Sequence, residues 1–109
     1  MKKIISPFKR GDTFKRRNTY MLEVDGVRTP IDITGYTIRA HIRSVDTLIQ
    51  ALTVNIIDAV NGVYELVAEK EQTELWPTGI FKMDIEFTVG GFRKSTEDII
   101  IEVIKDQSR

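Results

Sequence analysis

Cysteine is absent from the 109 residues. That removes disulfides, thiolate nucleophiles and thiolate zinc sites together, and it fits a protein made in a reducing cytoplasm. A domain of this size without covalent staples holds together by packing or by assembling with partners. Histidine occurs once, at His41, so a serine triad or a zinc ion would have to rest on a single imidazole. The seven glycines lie singly or in turn pairs and none opens a helix, which leaves no phosphate-cradling loop. Long apolar runs are missing too. Nothing approaches the roughly 20 residues of a membrane-spanning helix. The apolar stretch after Met1-Lys2-Lys3 is far shorter than the roughly 7 to 15 residues of a signal-peptide core. No membrane partner and no export signal are expected.

Charge is balanced overall but unevenly distributed. The formal net charge is zero. Up to Arg17 there are seven basic residues against Asp12 alone, a net +6 that the remainder offsets with −6. A basic end on an acidic body suits an anionic polymer, or the acidic body of a neighbouring copy. With 41% hydrophobic and 29% charged residues the composition is that of a globular domain.

The dominant period is two. Tyr36, Ile38, Ala40 and Ile42 alternate with Thr37, Arg39, His41 and Arg43. Phe81, Met83, Ile85, Phe87 and Val89 alternate with Lys82, Asp84, Glu86 and Thr88. A helix would scatter these sets around its circumference, whereas a strand wet on one side segregates them. Tyr20, Leu22 and Val24 share a parity, as do Leu52, Val54 and Ile56, and again Tyr64, Leu66 and Ala68. Asp25-Gly26, Asn61-Gly62 and Gly90-Gly91 read as tight hairpins, and Pro30 to Gly35 as a wider bend. One or two helical turns fit Lys70 to Leu75, stopped at Trp76 by Pro77.

These runs predict strands near Ile4 to Lys9, Phe14 to Val24, Tyr36 to Ser44, Ile49 to Ile57, Val63 to Glu69, Ile80 to Val89, and Phe92 to Ile104, the last broken near Ser95. Roughly seven strands with period-two patterning indicate an all-β fold, an immunoglobulin-like antiparallel β-sandwich with one short helical turn. It is expected as a single domain over residues 1–109, with residues 1–10 as a flexible or docking N-terminal segment. Phe81 occupies the place of a corner tyrosine, without the hydroxyl that such a corner uses.

Candidate chemistry is thin. Arg39 and Arg43 flank His41 on the wet face and oppose its protonation rather than prepare a base. Asp84 with Glu86, and Glu97 with Asp98, are carboxylate pairs of the kind that alternation places on any wet strand. Asp58 and Asn61 beside Gly62 offer fewer acids than a calcium loop needs. No catalytic residue, metal or cofactor is therefore expected, and no small-molecule substrate. Phe8 and Phe14 among Lys9, Arg10, Lys15, Arg16 and Arg17 give a mixture that can track single-stranded nucleic acid, which stands as the alternative function. Sugar binding is a further alternative, although Trp76, Tyr20 and Phe92 share no parity. Ile100 and Ile104 occupy the outward parity of the last strand and suit contact with another chain.

The order of certain motifs points to a use. Arg10-Gly11-Asp12-Thr13 precedes a bend of Asp25-Gly26, Pro30, Asp32 and Thr34-Gly35. The strand Ala40-His41-Ile42-Arg43, the pair Asn61-Gly62 and a corner of Pro77, Gly79, Phe81, Asp84 and Ile85 then follow. In this succession the chain resembles virion proteins of tailed bacteriophages and prophages, notably the N-terminal domain of baseplate upper proteins, over about residues 10 to 103. Phe81 departs from the tyrosine usual there, and the sequence ends soon after Ile104 without the fibre or receptor-binding region of longer relatives. The resemblance implies a non-enzymatic structural component of a tail, baseplate or connector, made in the bacterial cytoplasm and carried in the virion. Its partners would be other virion proteins and copies of itself. The residues expected at those contacts are Lys9, Arg10, Lys15, Arg16, Arg17, Arg39, His41, Arg43, Ile100 and Ile104.

Overall fold

A computed structural model describes residues 3–95 and 99–105, with side chains from Pro7 onward. The Glu97-Asp98 pair lies outside the described residues. Ten strands and one helical turn run in the order β1 (Lys3–Lys9), β2 (Phe14–Thr19), β3 (Met21–Val24), β4 (Val27–Pro30), β5 (Thr37–Ser44), β6 (Thr47–Asp58), β7 (Val63–Ala68), α1 (Lys70–Thr73), β8 (Gly79–Val89), β9 (Phe92–Ser95) and β10 (Ile99–Ile104).

Strand pairing follows β1-β10-β8-β5-β6-β7-β2, with β9 also on β8 and β3-β4 as a separate ribbon. The long β6 makes two layers of this path. It pairs with β5 through Leu52 and with β7 from Thr53 onward, passing from one sheet to the other. The order β2-β7-β6 against β5-β8-β10 gives two curled sheets and an all-β, sandwich-like fold. One pairing departs from the antiparallel expectation: β1 lies parallel to β10.

The alternation read in the sequence defines the core. Ile38, Ala40 and Ile42 of β5, Phe81, Met83, Ile85 and Phe87 of β8, and Ile99, Ile101 and Val103 of β10 are buried. They face Phe14 of β2 and Tyr64, Leu66 and Ala68 of β7. Each large side chain removed from water contributes about 1.5–3 kcal/mol, and this sum holds the staple-free domain together.

The helical turn closes one end of the sandwich. Glu69 caps α1 through a reciprocal capping box with Gln72. Trp76 is buried there against Phe8 and Phe14, at ring distances of 5.5 and 5.9 Å, and its indole N–H donates to Gln50 Oε1 at 3.0 Å. The Arg10-Gly11-Asp12-Thr13 motif is explained at the same place. The Thr73 hydroxyl accepts from Gly11 N at 3.0 Å and donates to Asp12 O at 2.7 Å, so the β1-β2 turn is tied to α1.

Three local features differ from the sequence reading. The Phe14–Val24 run is divided at Tyr20, and Leu22 and Val24, expected to face inward, are exposed on β3. The division arises because Tyr20 turns the chain out of sheet pairing with β7 and into a hairpin with β4 across Asp25-Gly26, where φ is +53° and +80°. Asn61-Gly62 is the end of a four-residue connection, 59–62, rather than a two-residue turn, because Asn61 is drawn to the Asp58 carboxylate at 2.8 Å. The tight turn between β5 and β6 falls instead at Val45-Asp46, with Val45 at φ +52°, a conformation that a β-branched residue seldom takes.

Candidate interaction surface

The residues expected at contacts are distributed over three places. Lys9 lies opposite Ile104, and Arg10 N donates to Ile104 O at 2.9 Å, which gathers these three near the helix-closed end. Arg39, His41 and Arg43 stand on the outer face of β5, and Ile100 lies on that face across Lys82 from Arg43. Lys15, Arg16 and Arg17 belong to the other sheet, on its edge strand β2.

Their electrostatics are more balanced than the sequence suggested. β8 sets Glu86 opposite Arg39 and Asp84 opposite His41, so acidic partners interleave with the basic row. Asp84 Oδ1 is buried without a hydrogen-bond partner. Arg93 of β9 pairs with Glu86 at 3.6 Å. On β2, Arg17 Nη2 reaches Glu65 Oε2 at 3.4 Å, and Glu65 is itself buried. Arg16 shares the inward parity of Phe14, and its Nε is buried without a partner. Arg10 Nη1 makes a long 3.5 Å contact with Trp76 O. Several of the cations that looked free in the sequence are thus engaged within the chain. A formal count of charge along the sequence cannot see this, because the partners of Arg17 and Arg10 are 48 and 66 residues away.

The opposite end of the sandwich carries most of the exposed apolar surface. Met21, Leu22, Val24, Val27, Ile56, Ile57, Val60 and Phe92 all lie there, against Val45, Leu48, Leu75 and Ile80 at or near the helix end. Every residue from Met21 to Pro30 is exposed, making β3-β4 an arm that stands off the body of a molecule measuring 45 × 26 × 25 Å. The arm is rooted by backbone bonds from Tyr20 N to Gly62 O at 2.8 Å and from Ile31 N to Tyr20 O at 2.9 Å. Beneath it, Asp32 accepts from Thr34 N at 2.9 Å and from the Thr34 hydroxyl, an Asx turn that fixes how the chain approaches β5. The Thr34 hydrogen bonds hold the Asp32 carboxyl below the ordinary carboxylate range. Ile33 N donates to Ala59 O at 2.9 Å and its side chain is buried, so the Pro30–Gly35 bend is part of the arm's foundation.

Beside the root lies an open cleft of about 360 Å³ lined by Tyr20, Tyr36, Phe87, Val89, Phe92, Arg93 and Lys94. Tyr20 stacks on Phe87 at 4.0 Å with rings 5° from parallel, and Tyr36 meets Tyr20 edge-on. Burial, then the nearby Tyr36, raises the Tyr20 hydroxyl above its usual pKa. Tyr20 and Phe92, which share no sequence parity, are therefore brought to one cleft, while Trp76 is buried at the other end. Sequence reasoning missed both the arm and the cleft. The signal for the arm was Asp25-Gly26, a tight-hairpin marker whose return strand, β4, fits between it and the bend at Pro30 to Gly35.

No family model matches the chain, and no curated protein is similar to it at a significant level.

Proposed function

We propose that this protein is a non-enzymatic structural module of a tailed-phage or prophage particle, acting through protein–protein contacts in a tail, baseplate or connector. The observation that carries the reading is the arm. A two-stranded ribbon exposed over its whole length, with Leu22, Val24 and Val27 on one face, is poorly suited to water and well suited to insertion against another subunit. Two further points support it. The motifs of the phage-protein resemblance serve structural roles here, Gly11 and Asp12 on Thr73 and Asp32 with Thr34. The one histidine shares its strand face with Arg39 and Arg43 and lies opposite Ala51 and Asp84 in register, neither of them a serine or a second imidazole.

The nucleic-acid alternative is weaker on the segment that suggested it, since Arg16 Nε is buried, Arg10 reaches Trp76 O, and Arg17, although 60% exposed, is shared with Glu65. Co-expression with the products of adjacent genes separates the two readings. A stable complex with a tail or head protein that is lost on Leu22→Asp with Val27→Asp is the expected result. Absence of any such complex, with oligonucleotide retained at low salt and released as salt rises, would overturn the structural reading.

A further inference from the structure

The arm has two dissimilar faces. Leu22 opposes Thr29 and Val24 opposes Val27 on one side, while Met21 with Pro30 and Glu23 with Arg28 occupy the other. The first face is apolar, and Leu22, Val24 and Val27 are 50%, 56% and 65% exposed. The second face carries an opposed charge pair. A ribbon of this kind calls for a cover on one face, and the outer edge of β3 adds unpaired backbone donors and acceptors.

The body of the sandwich offers few edges on which such a strand could pair. β2 presents Lys15 and Arg17, and β9 presents Arg93 and Lys94. β1 contains Pro7 and a register shift between Ile5 and Phe8. Charges, proline and bulges of this sort discourage addition of a strand. β6 is different. Beyond Leu52 it has left β5 and pairs with β7 alone among the described strands. The segment Thr53-Val54-Asn55-Ile56-Ile57 contains no charge, and Ile56 and Ile57 are 47% and 43% exposed. It is the least protected edge of the body.

We infer that this edge receives the arm of a second copy of the chain, with β3 aligned along Thr53–Ile57 and the apolar face of the ribbon covering Ile56. Three observations select a second copy. In the single chain all of Met21–Pro30 stays exposed, so the arm does not cover its own β6. Donor and acceptor lie at the same end, the root being bonded to Gly62 just beyond β6, so one two-fold axis makes both contacts at once. The sole charge on β3, Glu23, meets no acid within Thr53–Ile57. The surface involved is smaller than the roughly 20–30 residues per side of a standard interface, so a weak, concentration-dependent dimer is expected.

The absence of native cysteine makes the test direct. Val24→Cys and Ile56→Cys single variants, one carrying a mass tag, are mixed and mildly oxidised. The heterologous disulfide should form at least tenfold faster than between Val24→Cys and Leu75→Cys, whose exposed site is at the helix end. Sedimentation of the unmodified chain should show dimer growing with concentration, and Leu22→Asp with Val27→Asp should return it to monomer. Equal cross-linking rates, or a strict monomer up to several hundred micromolar, overturn the proposal. It rests on the assembly reading but fails separately: loss of particle-protein binding in the arm variant, with no preferential cross-link, sinks the self-pairing and leaves the assembly reading in place.

Discussion

Replacing Gly62 by alanine tests how the arm is mounted on the sandwich. A Cβ at this position would stand 2.5 Å from Ile31 O and 2.9 Å from Tyr20 O, both backbone atoms of the residues whose hydrogen bonds root the arm. Neither oxygen can swing aside as a flexible side chain would. The residue also has φ +73°, where an L side chain costs about 1–2 kcal/mol. Forcing an extra carbon into a packed site adds about 1–3 kcal/mol. Together these give about 3 kcal/mol for Gly62→Ala. Gly35 supplies the control, because it has φ +82° but nothing within 4 Å of its added Cβ. Gly35→Ala therefore carries the backbone term alone, about 1 kcal/mol. At about 4 °C per kcal/mol for a domain near this size, thermal midpoints should fall by about 12 °C and about 4 °C respectively. Urea melts followed by the fluorescence of the single tryptophan give the same comparison in free energy. Equal losses for the two variants would refute the close approach of the arm root to Gly62.

Other consequences are open to the same measurements. Val45 is 89% exposed at φ +52°, so Val45→Asn should raise stability by about 1 kcal/mol by relieving strain without removing a core contact. Thr73→Val preserves shape but removes the hydroxyl that joins Gly11 and Asp12 to α1, and urea melts should show a loss of about 1–3 kcal/mol. Burial raises the Tyr64 hydroxyl above its usual pKa, against the opposing hydrogen bond from Asn18. The folded state then disfavours the phenolate relative to the unfolded chain. Its contribution is intact below the unfolded value near 10 and is lost as pH rises through the higher folded value. Urea midpoints should fall between pH 9 and 11 and fall less in Tyr64→Phe. For Asp32 the sign is opposite: its lowered carboxyl contributes above the unfolded value of 3.8 and stops contributing as pH falls through the folded one, so Asp32→Asn should flatten the acid limb.

The layers of the sandwich were legible in the sequence because strand period and burial are the same signal. Ile38, Ala40, Ile42 and the set from Phe81 to Phe87 announce their inward face by alternation, and alternation survives any choice of strand neighbours. The helical stop at Trp76-Pro77 was legible for a local reason too, since proline excludes helix from its own position and the one before it. The turn at Val45-Asp46 was not, because nothing in the side chain of valine invites positive φ. The sandwich holds that conformation through the pairing of β5 with β6 on either side.

Surface properties divide along the same line. Residue by residue, the sequence determined an all-β chain without thiols, with one imidazole, with a basic beginning and with hairpin markers at Asp25-Gly26 and Gly90-Gly91. Only the tertiary structure decided which of those residues remain available. Glu65 and the Trp76 carbonyl engage cations that are distant in sequence, and Glu86 meets Arg93 across the β8-β9 hairpin. The Leu22 and Val24 parity, equally suited to a core, is left exposed because Tyr20 leads the chain out of the sheet at Gly62. Alternation states that a strand has an apolar face, but long-range packing determines whether the chain itself covers that face.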